Sequence, residues 1–557
     1  MKSLLPGFRA APRPVPLAAD APPPPPPPSR TLGPVLLWFV LALVLFGLGA
    51  GDSRLWDEDE ANNAVALKEM HADRQWLIPT FNGALRPDKP ILNYWLMQGG
   101  VTLLGFNEWG LRAGAVLSGA LLVAMVGAFA RRWYGDASGW MAALIMGTAL
   151  HHQVIFRAAV PEALFILTVS GTLLCALESL RLGARRWFLA ASVLAALAVL
   201  TKGPVGLLLP GFILLLAALW QGRTGFLLAP RQWLPGLGLF LLLVLPWPVA
   251  AWIHTDGALI RDFLLDHNVG RFLHAREGHH APLLTYLLVL PLALLPWSLL
   301  LPQGLTRPLA ALVARRRDDL VGPALLLWSL LWLLFFTLAS TKLPHYILPA
   351  YPPLAILLGR RLSAAWDGSQ PLSAWGLRLG SMFLLLLGGA LVGVGFHLAQ
   401  AMPGVRPLPE LGVPFLLAAM GLWYAPRPRP ALITLAVTGV TLTLVLLQAL
   451  PQVEKAKAGY EFATLISRDA GETPFLLIQQ GRLLPSLLYY GAQRITMSAD
   501  TQQSMTALAQ PGRAYLALPR DQAEQVLTSL PGTRLLGTRF DIHAGRELAL
   551  LGNTPGN

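Results

Sequence analysis

A polar stretch between two apolar segments carries the residue types best suited to chemistry. Four consecutive carboxylates occupy positions 57–60, and further along the same stretch Asp88 directly precedes Lys89. Carboxylates beside a bilayer are costly unless they are solvated or used, so this cluster is a candidate functional site. A carboxylate here could take a proton from an incoming hydroxyl, and a lysine could neutralise a phosphate. A plain solvated loop remains the alternative for Asp57 and Glu58.

A second polar site lies in the run HHQVIFRAAVPEALF, which contains Arg157 and Glu162. The pair could be interfacial, with the arginine stem on apolar surface and its charged head in water. That interpretation suits Arg157 better than Glu162, because Glu162 begins an apolar helical run. Glu162 is therefore a candidate functional carboxylate.

Histidines and cations concentrate in two later polar segments. DHNVGRFLHAREGHHAP holds four of the 11 histidines, and STKLPHYILPAYPP adds another histidine and a lysine. Imidazole is the commonest metal ligand, and lysine and arginine suit phosphate. The spacing fits no closed zinc motif, so a wet, mildly basic loop remains open for His274 and His280. The other candidates from these segments are His267, Arg271, His279, Lys342 and His345.

Composition places these residues in a membrane protein. The chain is 54% hydrophobic and 13% charged, with a mean hydropathy of +0.53. A span needs about 20 apolar residues to cross a bilayer core of about 30 Å. Runs near that length predict about 13 transmembrane helices, at 33–50, 111–130, 138–154, 160–180, 186–201, 203–220, 234–253, 282–302, 321–339, 346–363, 376–398, 411–425 and 430–450.

The charge distribution predicts the topology. The net charge of +13 is not gathered into a nucleic-acid patch; arginines fall in alternate loops, which the positive-inside rule assigns to the cytoplasm. The N-terminus is then cytoplasmic. The acidic stretch, within the loop 51–110, faces outward together with loops 254–281 and 340–345. An odd number of spans leaves the C-terminal region on the same outer, periplasmic side.

Three regions follow from composition. Residues 1–32 form a Pro-rich cytoplasmic N-terminus predicted to be disordered, with the first span acting as a signal anchor. Residues 33–450 form the membrane domain. In residues 455–557, the short β-type runs PFLLIQ, QRITMS, RAYLALP, TRLLGTRF and RELALLG alternate with helix-like runs, which predicts a small α/β periplasmic accessory domain. No glycine-rich phosphate loop is present, so we expect no nucleotide cofactor, and the distribution of the arginines over alternate loops predicts no nucleic-acid partner.

The order of the motifs resembles one family. An acidic pair heads 59–64, an Asp-Lys-Pro element followed by Tyr-Trp occupies 88–95, TKGP occupies 201–204, and STKLPHYILP occupies 340–349. This series resembles that of the GT-C glycosyltransferases of the aminoarabinose transferase and protein O-mannosyltransferase type. The resemblance implies a GT-C membrane domain that transfers a sugar from a polyprenyl-phosphate donor, such as undecaprenyl phosphate, to lipid A, protein or envelope glycan at the outer face of the inner membrane.

The resemblance also implies roles for individual residues. It gives catalytic roles to the carboxylates Asp59, Glu60 and Glu162, with Asp59 as the main one. It implies donor-phosphate binding by Lys89, Arg271, Lys342 and Tyr346. It further implies a zinc ion bound by Asp88, His345 and either His279 or His267.

The expected reaction is an inverting transfer. Asp59 would orient or deprotonate the acceptor hydroxyl, which attacks the anomeric carbon opposite the phosphate held near Lys89. Two other classes remain open from the sequence. A lipid-linked sugar flippase would show broken helices in paired halves, and no internal symmetry is evident. A non-catalytic envelope polysaccharide assembly protein would not require the ordered set of Asp59, Asp88, Lys89 and His345.

Overall fold

Helices form most of the membrane domain. The structure is a computed structural model that describes residues 32–270, 282–316, 319–402, 404–424, 427–491 and 494–553. Before residue 454 its α-helices are Gly33–Gly47, Glu60–Ala72, Leu92–Leu104, Glu108–Tyr134, Asp136–Thr148, Leu150–Ile155, Glu162–Leu182, Arg185–Lys202, Val205–Gln221, Thr224–Leu227, Pro230–Val244, Pro246–His254, Ala258–Asp262, Thr285–Ala293, Leu301–Val313, Val321–Leu338, Tyr351–Trp366, Ala374–Ala401, Val413–Tyr424 and Pro428–Val453. Short 3₁₀ or π turns occupy Phe263–Gly270, Trp297–Leu300, Pro344–Ala350, Pro409–Leu411 and Glu454–Ala456.

Some of these helices are long and apolar enough to cross a membrane. Among the described residues, 6 meet that standard singly: Glu108–Tyr134, Glu162–Leu182, Pro230–His254, Val321–Leu338, Ala374–Ala401 and Pro428–Ala456. Thr285–Ala293 and Trp297–Val313 meet the standard only together and are bent by 108° at the break between them, so the described residues hold up to 7 spans if this pair is one span. Gly33–Gly47 and Val205–Gln221 are apolar but shorter. The protein is thus a multi-pass helical membrane protein, and the larger number of about 13 spans stays a prediction.

The helix Glu162–Leu182 lies at the centre of the membrane domain. It is almost wholly buried, whereas much of Ala374–Ala401 is exposed to the surroundings. At one end, Glu178 is completely buried and accepts hydrogen bonds from Arg132, Arg181 and the Trp133 ring. Burial of a carboxylate requires such compensation. The opposite end of this helix begins at Glu162, so the candidate carboxylate and this arginine cluster lie a full helix length apart.

Residues 51–107 form a polar layer over one end of the helices. It contains the helices Glu60–Ala72 and Leu92–Leu104 and a short hairpin, β1 (Thr80–Phe81) with β2 (Ala84–Leu85). The layer is joined to the next helix by Asn107, whose side chain accepts a hydrogen bond from the Gly110 backbone and caps that helix. The acidic run and Lys89 are therefore both held in folded structure.

The C-terminal residues form a mixed sheet with helices. Its strands are β3 (Phe475–Gln480), β4 (Ile495–Ser498), β5 (Arg513–Pro519), β6 (Thr533–Asp541) and β7 (Arg546–Asn553), in the order β4-β3-β5-β7-β6. The first three are parallel, and β7 pairs antiparallel with both β5 and β6. The helices are Gly459–Ala470, Pro485–Gly491, Thr501–Leu508 and Arg520–Ser529. One apolar cluster joins this unit to the polar layer and includes Leu67, Tyr94, Phe462 and Leu487.

Candidate functional site

A large cavity opens beside the start of the helix Glu162–Leu182. Its volume is about 590 Å³, and most of its wall is apolar. The apolar lining comes from Phe165, Ile166, Val205, Leu208, Leu209, Phe212, Phe263, Leu264, Leu265, Phe335 and Phe336. The polar lining comes from Asp88, Lys89, Glu162, Lys202, His267, Thr341, His345 and Tyr346. An amphipathic ligand with a charged head and an aliphatic tail matches this division.

Glu162, Lys202 and His345 meet at the polar end. Lys202 Nζ lies 2.8 Å from Glu162 Oε1, and His345 Nε2 lies 3.4 Å from the same oxygen. Burial lowers the pKa of His345 to about 3, although the Glu162 charge opposes this shift, so the imidazole is neutral at physiological pH. The Lys202 ammonium also lies over the Tyr346 ring, 5.1 Å from its centroid.

The chain turn that presents Lys202 depends on the residues after it. Lys202 is the last residue of its helix, and Gly203 follows with φ +86°, a conformation that L side chains rarely adopt. Pro204 then leads into the next helix. Sequence reasoning noted the TKGP element but did not select Lys202 as a site residue. A lysine between two long apolar runs was the signal that could have identified it.

Asp88 and Lys89 form the second polar wall. Asp88 Oδ2 lies 3.1 Å from Arg86 Nη2, and Asp88 Oδ1 lies 3.2 Å from His267 Nε2. Arg86 also donates from Nε to the Tyr94 hydroxyl at 3.1 Å, which fixes the segment against the helix that follows. These contacts hold the backbone at Lys89, whose side chain lines the cavity.

The four consecutive carboxylates have different environments. Asp57 and Glu60 are each 1% exposed, Glu58 is partly exposed, and Asp59 is exposed. The surrounding protein and the charges of Glu162, Glu60 and Glu58 together raise the pKa of Asp59 to about 6, and the Lys89 charge opposes this shift. Asp59 therefore combines accessibility with a pKa near neutrality, the combination that suits a general base.

Glu60 is bonded on both carboxylate oxygens to groups of the protein. Its two carboxylate oxygens accept hydrogen bonds from Arg112, from Nε at 2.7 Å and from Nη2 at 2.8 Å. The Ala159 backbone also donates to Oε1 at 2.6 Å. Burial alone would raise the pKa of Glu60, but Arg112 and the backbone donors of Ala159 and Trp56 hold it below its usual value. Of the three carboxylates expected to be catalytic, Asp59 is the one that is exposed, and Glu162 lines the cavity.

The expected donor-phosphate residues occupy different places. Lys89 and Tyr346 line the cavity. Lys342 is outside its lining and donates from Nζ to the Ala339 carbonyl at 2.7 Å. Arg271 lies outside the described residues.

Three of the four residues implied for the zinc site lie in the described part of the chain. Asp88 and His267 are in contact, whereas His345 contacts Glu162 instead, and His279 lies outside the described residues. Within the described ranges no group of three His, Cys, Asp or Glu side chains is arranged to hold a metal ion. Zinc sites use at least three protein ligands, so the described donors alone do not complete a zinc site.

Comparison with known proteins decides the family. Residues 88–252 match the family described as dolichyl-phosphate-mannose-protein mannosyltransferase. An undecaprenyl phosphate-alpha-4-amino-4-deoxy-L-arabinose arabinosyl transferase of Pseudomonas fluorescens Pf0-1 is 30% identical over 425 residues, which is 68% of this chain and 72% of that protein. The chain belongs to this arabinosyl transferase family. It is therefore an integral-membrane glycosyltransferase.

Other relatives of the transferase agree. A second such enzyme, from Pseudomonas fluorescens Pf-5, is 28% identical over 77% of this chain and 78% of its own length. For the enzyme of Pseudomonas aeruginosa UCBPP-PA14 the identity is 33%, and the match spans 58% of this chain and 59% of that protein.

A solved structure shows the same fold. The crystal structure of ArnT from Cupriavidus metallidurans bound to undecaprenyl phosphate superposes with a TM-score of 0.74, at 21% identity, over 94% of this chain and 98% of that one. The transferase thus has the GT-C fold expected from its motifs.

Proposed function

We propose that the transferase moves an amino-pentose from an undecaprenyl-phosphate carrier to an acceptor hydroxyl at the periplasmic face, with inversion at the anomeric carbon. The observation that carries this proposal is the cavity of about 590 Å³. One side of the cavity is a long apolar wall, and the other end, near Asp59, is lined by lysines and carboxylates. The names of the relatives support 4-amino-4-deoxy-L-arabinose as the sugar. The acceptor belongs to one of three classes, which are lipid A, protein and envelope glycan.

The prenyl chain of the donor would lie along the apolar wall and its phosphate at the polar end. Lys89 and Lys202 supply positive charge there, and Tyr346 supplies a hydroxyl. Lys202 is already paired with Glu162, so its charge is partly balanced before the donor binds. Lysine acts on phosphate as a point charge, and neutralising the leaving phosphate lowers the barrier to its departure.

Asp59 would then act on the acceptor. Its carboxylate takes the proton of the acceptor hydroxyl as the hydroxyl oxygen attacks the anomeric carbon. The bond between that carbon and the phosphate oxygen breaks, and undecaprenyl phosphate leaves with the bonding electrons. With a pKa of about 6, Asp59 is mostly ionised at neutral pH and still basic enough to assist.

The proposed topology places this chemistry outside the cytoplasm. The alternating arginine loops support a cytoplasmic N-terminus, about 13 spans and a periplasmic C-terminal accessory domain. Reporter fusions at Gly105 and Gly471 should both give an external signal. A cytoplasmic signal at either position would overturn the proposed face of the reaction.

The reaction is tested with purified full-length protein and undecaprenyl phosphate-4-amino-4-deoxy-L-arabinose. Mass spectrometry follows loss of the donor and transfer of the sugar to lipid A, to protein or to envelope glycan. We expect donor consumption together with one modified acceptor, and no consumption with Asp59→Asn. Transport of the lipid-linked sugar between leaflets without sugar loss would instead indicate a flippase.

A further inference from the structure

The C-terminal unit is in direct contact with the acidic turn that carries Asp59. Asp57 Oδ1 accepts a hydrogen bond of 2.7 Å from the Ser486 backbone, and both residues are buried. Glu58 pairs with Arg482 across the same contact. Asp59 is thus preceded by two residues that are each bonded to the segment 482–490 of the C-terminal unit.

The entry to the turn is held in the same way. The Tyr490 hydroxyl accepts a hydrogen bond of 3.0 Å from the Leu55 backbone and donates one of 2.9 Å to Glu108. Lys457, just before the first helix of the C-terminal unit, lies with Nζ 3.7 Å from the centroid of the Trp56 ring. Every residue from Leu55 to Glu58 therefore has a partner in residues 457–490.

The turn needs this support because its backbone is unusual. Glu58 has φ +69°, in the left-handed region that a glutamate rarely adopts. Such a conformation is strained and persists where surrounding contacts impose it. The left-handed residue directly precedes Asp59, so its conformation sets the direction in which the Asp59 side chain leaves the backbone.

We propose that the C-terminal unit is a positioning element for the reaction, in which Tyr490 and the Asp57–Ser486 contact hold the 55–60 turn so that Asp59 faces the acceptor. This inference rests on the proposed role of Asp59. It gives the accessory unit a part in catalysis that needs no substrate contact of its own. Small displacements of a reacting group can cost about 10²-fold in rate, so loosening the turn should be visible in kcat.

Tyr490→Phe is the main test, and Tyr515→Phe is its matched control. Both changes remove one tyrosine hydroxyl from the same unit, but the Tyr515 hydroxyl donates to Asp469 at 2.7 Å, a contact inside the C-terminal unit itself. We expect Tyr490→Phe to lower kcat at least about 10-fold with the KM for the donor little changed. Tyr515→Phe should keep the wild-type kcat. Equal kcat values for the two variants would overturn the inference.

Two substitutions of Asp57 provide a second test. Asp57→Asn keeps an oxygen that can accept from the Ser486 backbone, whereas Asp57→Ala removes it. We expect Asp57→Ala to lose far more kcat than Asp57→Asn. A loss that is equal in the two variants would show that the charge of Asp57, not its anchoring bond, matters.

Two readouts separate positioning from general stability. Asp59 is surrounded by Glu58, Glu60, Glu162 and Lys89, so a displaced turn should shift the acid limb of the kcat/KM pH profile. A smaller folded fraction would lower the rate without shifting that limb.

Hydrogen exchange of the amides in 55–61 should also be faster in Tyr490→Phe than in Tyr515→Phe, without any substrate present. Unchanged exchange in Tyr490→Phe would overturn the positioning role even if Asp59→Asn is inactive. Faster exchange together with an active Asp59→Asn would instead overturn the proposed role of Asp59.

Discussion

Arg112 and Glu60 form a two-point ion pair beneath the candidate active site. Arg112 Nε and Nη2 reach the two oxygens of Glu60 at 2.7 and 2.8 Å, and Arg112 Nη1 bonds the carbonyls of Ala50 and Ser53, each at 2.7 Å. Both side chains are about 1% exposed. Arg112 thus connects the start of the helix 60–72 to the chain that enters the polar layer. These contacts also restrict the position of Asp59, the exposed residue next to Glu60.

Glu60→Gln should therefore be mainly a stability variant. The amide is nearly isosteric but leaves the Arg112 charge buried without its counter-charge, which costs about 3–5 kcal/mol when one partner of a buried pair is removed. We expect a lower unfolding midpoint in detergent. Glu410→Gln is the control, because its pair with Arg406 is more exposed and contributes about 0–1 kcal/mol. A wild-type midpoint with lost turnover would instead make Glu60 a catalytic group.

Asp59→Asn should abolish transfer while leaving the fold and donor binding largely intact. The general base is lost, and a general base contributes about 10²–10⁴-fold. Turnover and undecaprenyl phosphate binding are measured in parallel on the same preparation. Asp57→Asn and Glu58→Gln serve as controls and should be mild by comparison. Equal, modest losses at Asp57, Glu58, Asp59 and Glu60 would favour a solvated acidic loop.

The acid limb of the pH profile should report Asp59. The base works only when deprotonated, so kcat/KM should rise as the pH increases through about 6, the pKa of Asp59. Glu58→Gln removes a negative charge that raises this pKa, so the limb should move to lower pH. Glu461→Gln, a change at a carboxylate that pairs with Arg539 in the C-terminal unit, should leave the limb in place. A limb that is insensitive to Glu58→Gln would assign it to another group.

The sequence predicted local elements of the C-terminal unit well. The runs PFLLIQ, QRITMS, RAYLALP, TRLLGTRF and RELALLG each overlap one strand, at β3, β4, β5, β6 and β7. Alternating β-type and helical runs are local signals, so they can be read without tertiary information. The order β4-β3-β5-β7-β6 and the contact of this unit with the acidic turn depend on distant residues, and the sequence did not indicate them.

In the candidate site, too, the sequence indicated residue types but not the contacts between distant residues. Polar residues in apolar surroundings identified Asp59, Lys89, Glu162 and His345 as candidates because burying charge is costly. Exposure could not be read from four adjacent carboxylates, since it depends on Arg112 and Ser486, which lie far away in sequence. A lysine between two apolar runs marked Lys202 in the sequence, but its pairing with Glu162, forty residues earlier, is visible only in the structure.

Lys89→Ala should weaken donor binding strongly. The side chain lines the cavity where the phosphate would lie, so its removal leaves that charge less neutralised. Lys89→Arg should restore binding only in part, because a planar guanidinium fork differs from a point charge. Binding of undecaprenyl phosphate to the purified protein measures both. Wild-type affinity and turnover in Lys89→Ala would show that this lysine serves its neighbours in the protein and not the donor.

Lys202 calls for a double variant, because Glu162 would be left buried without its partner in Lys202→Met alone. Glu162 is 6% exposed, and its Oε1 lies 2.8 Å from Lys202 Nζ. In Lys202→Met/Glu162→Gln both charges are absent, so the penalty for an unpaired buried charge disappears. If Lys202 binds the donor phosphate, the double variant should regain the stability lost in Lys202→Met but not its affinity for undecaprenyl phosphate. Thermal unfolding and lipid binding are compared across the wild type, the two single variants and the double variant.

Lys455→Met is the control for loss of a lysine outside the cavity. Lys455 is bonded to Gln452, so this change should leave the affinity for undecaprenyl phosphate unchanged. Recovery of both stability and affinity in the double variant would show that Lys202 acts only as the counter-charge of Glu162.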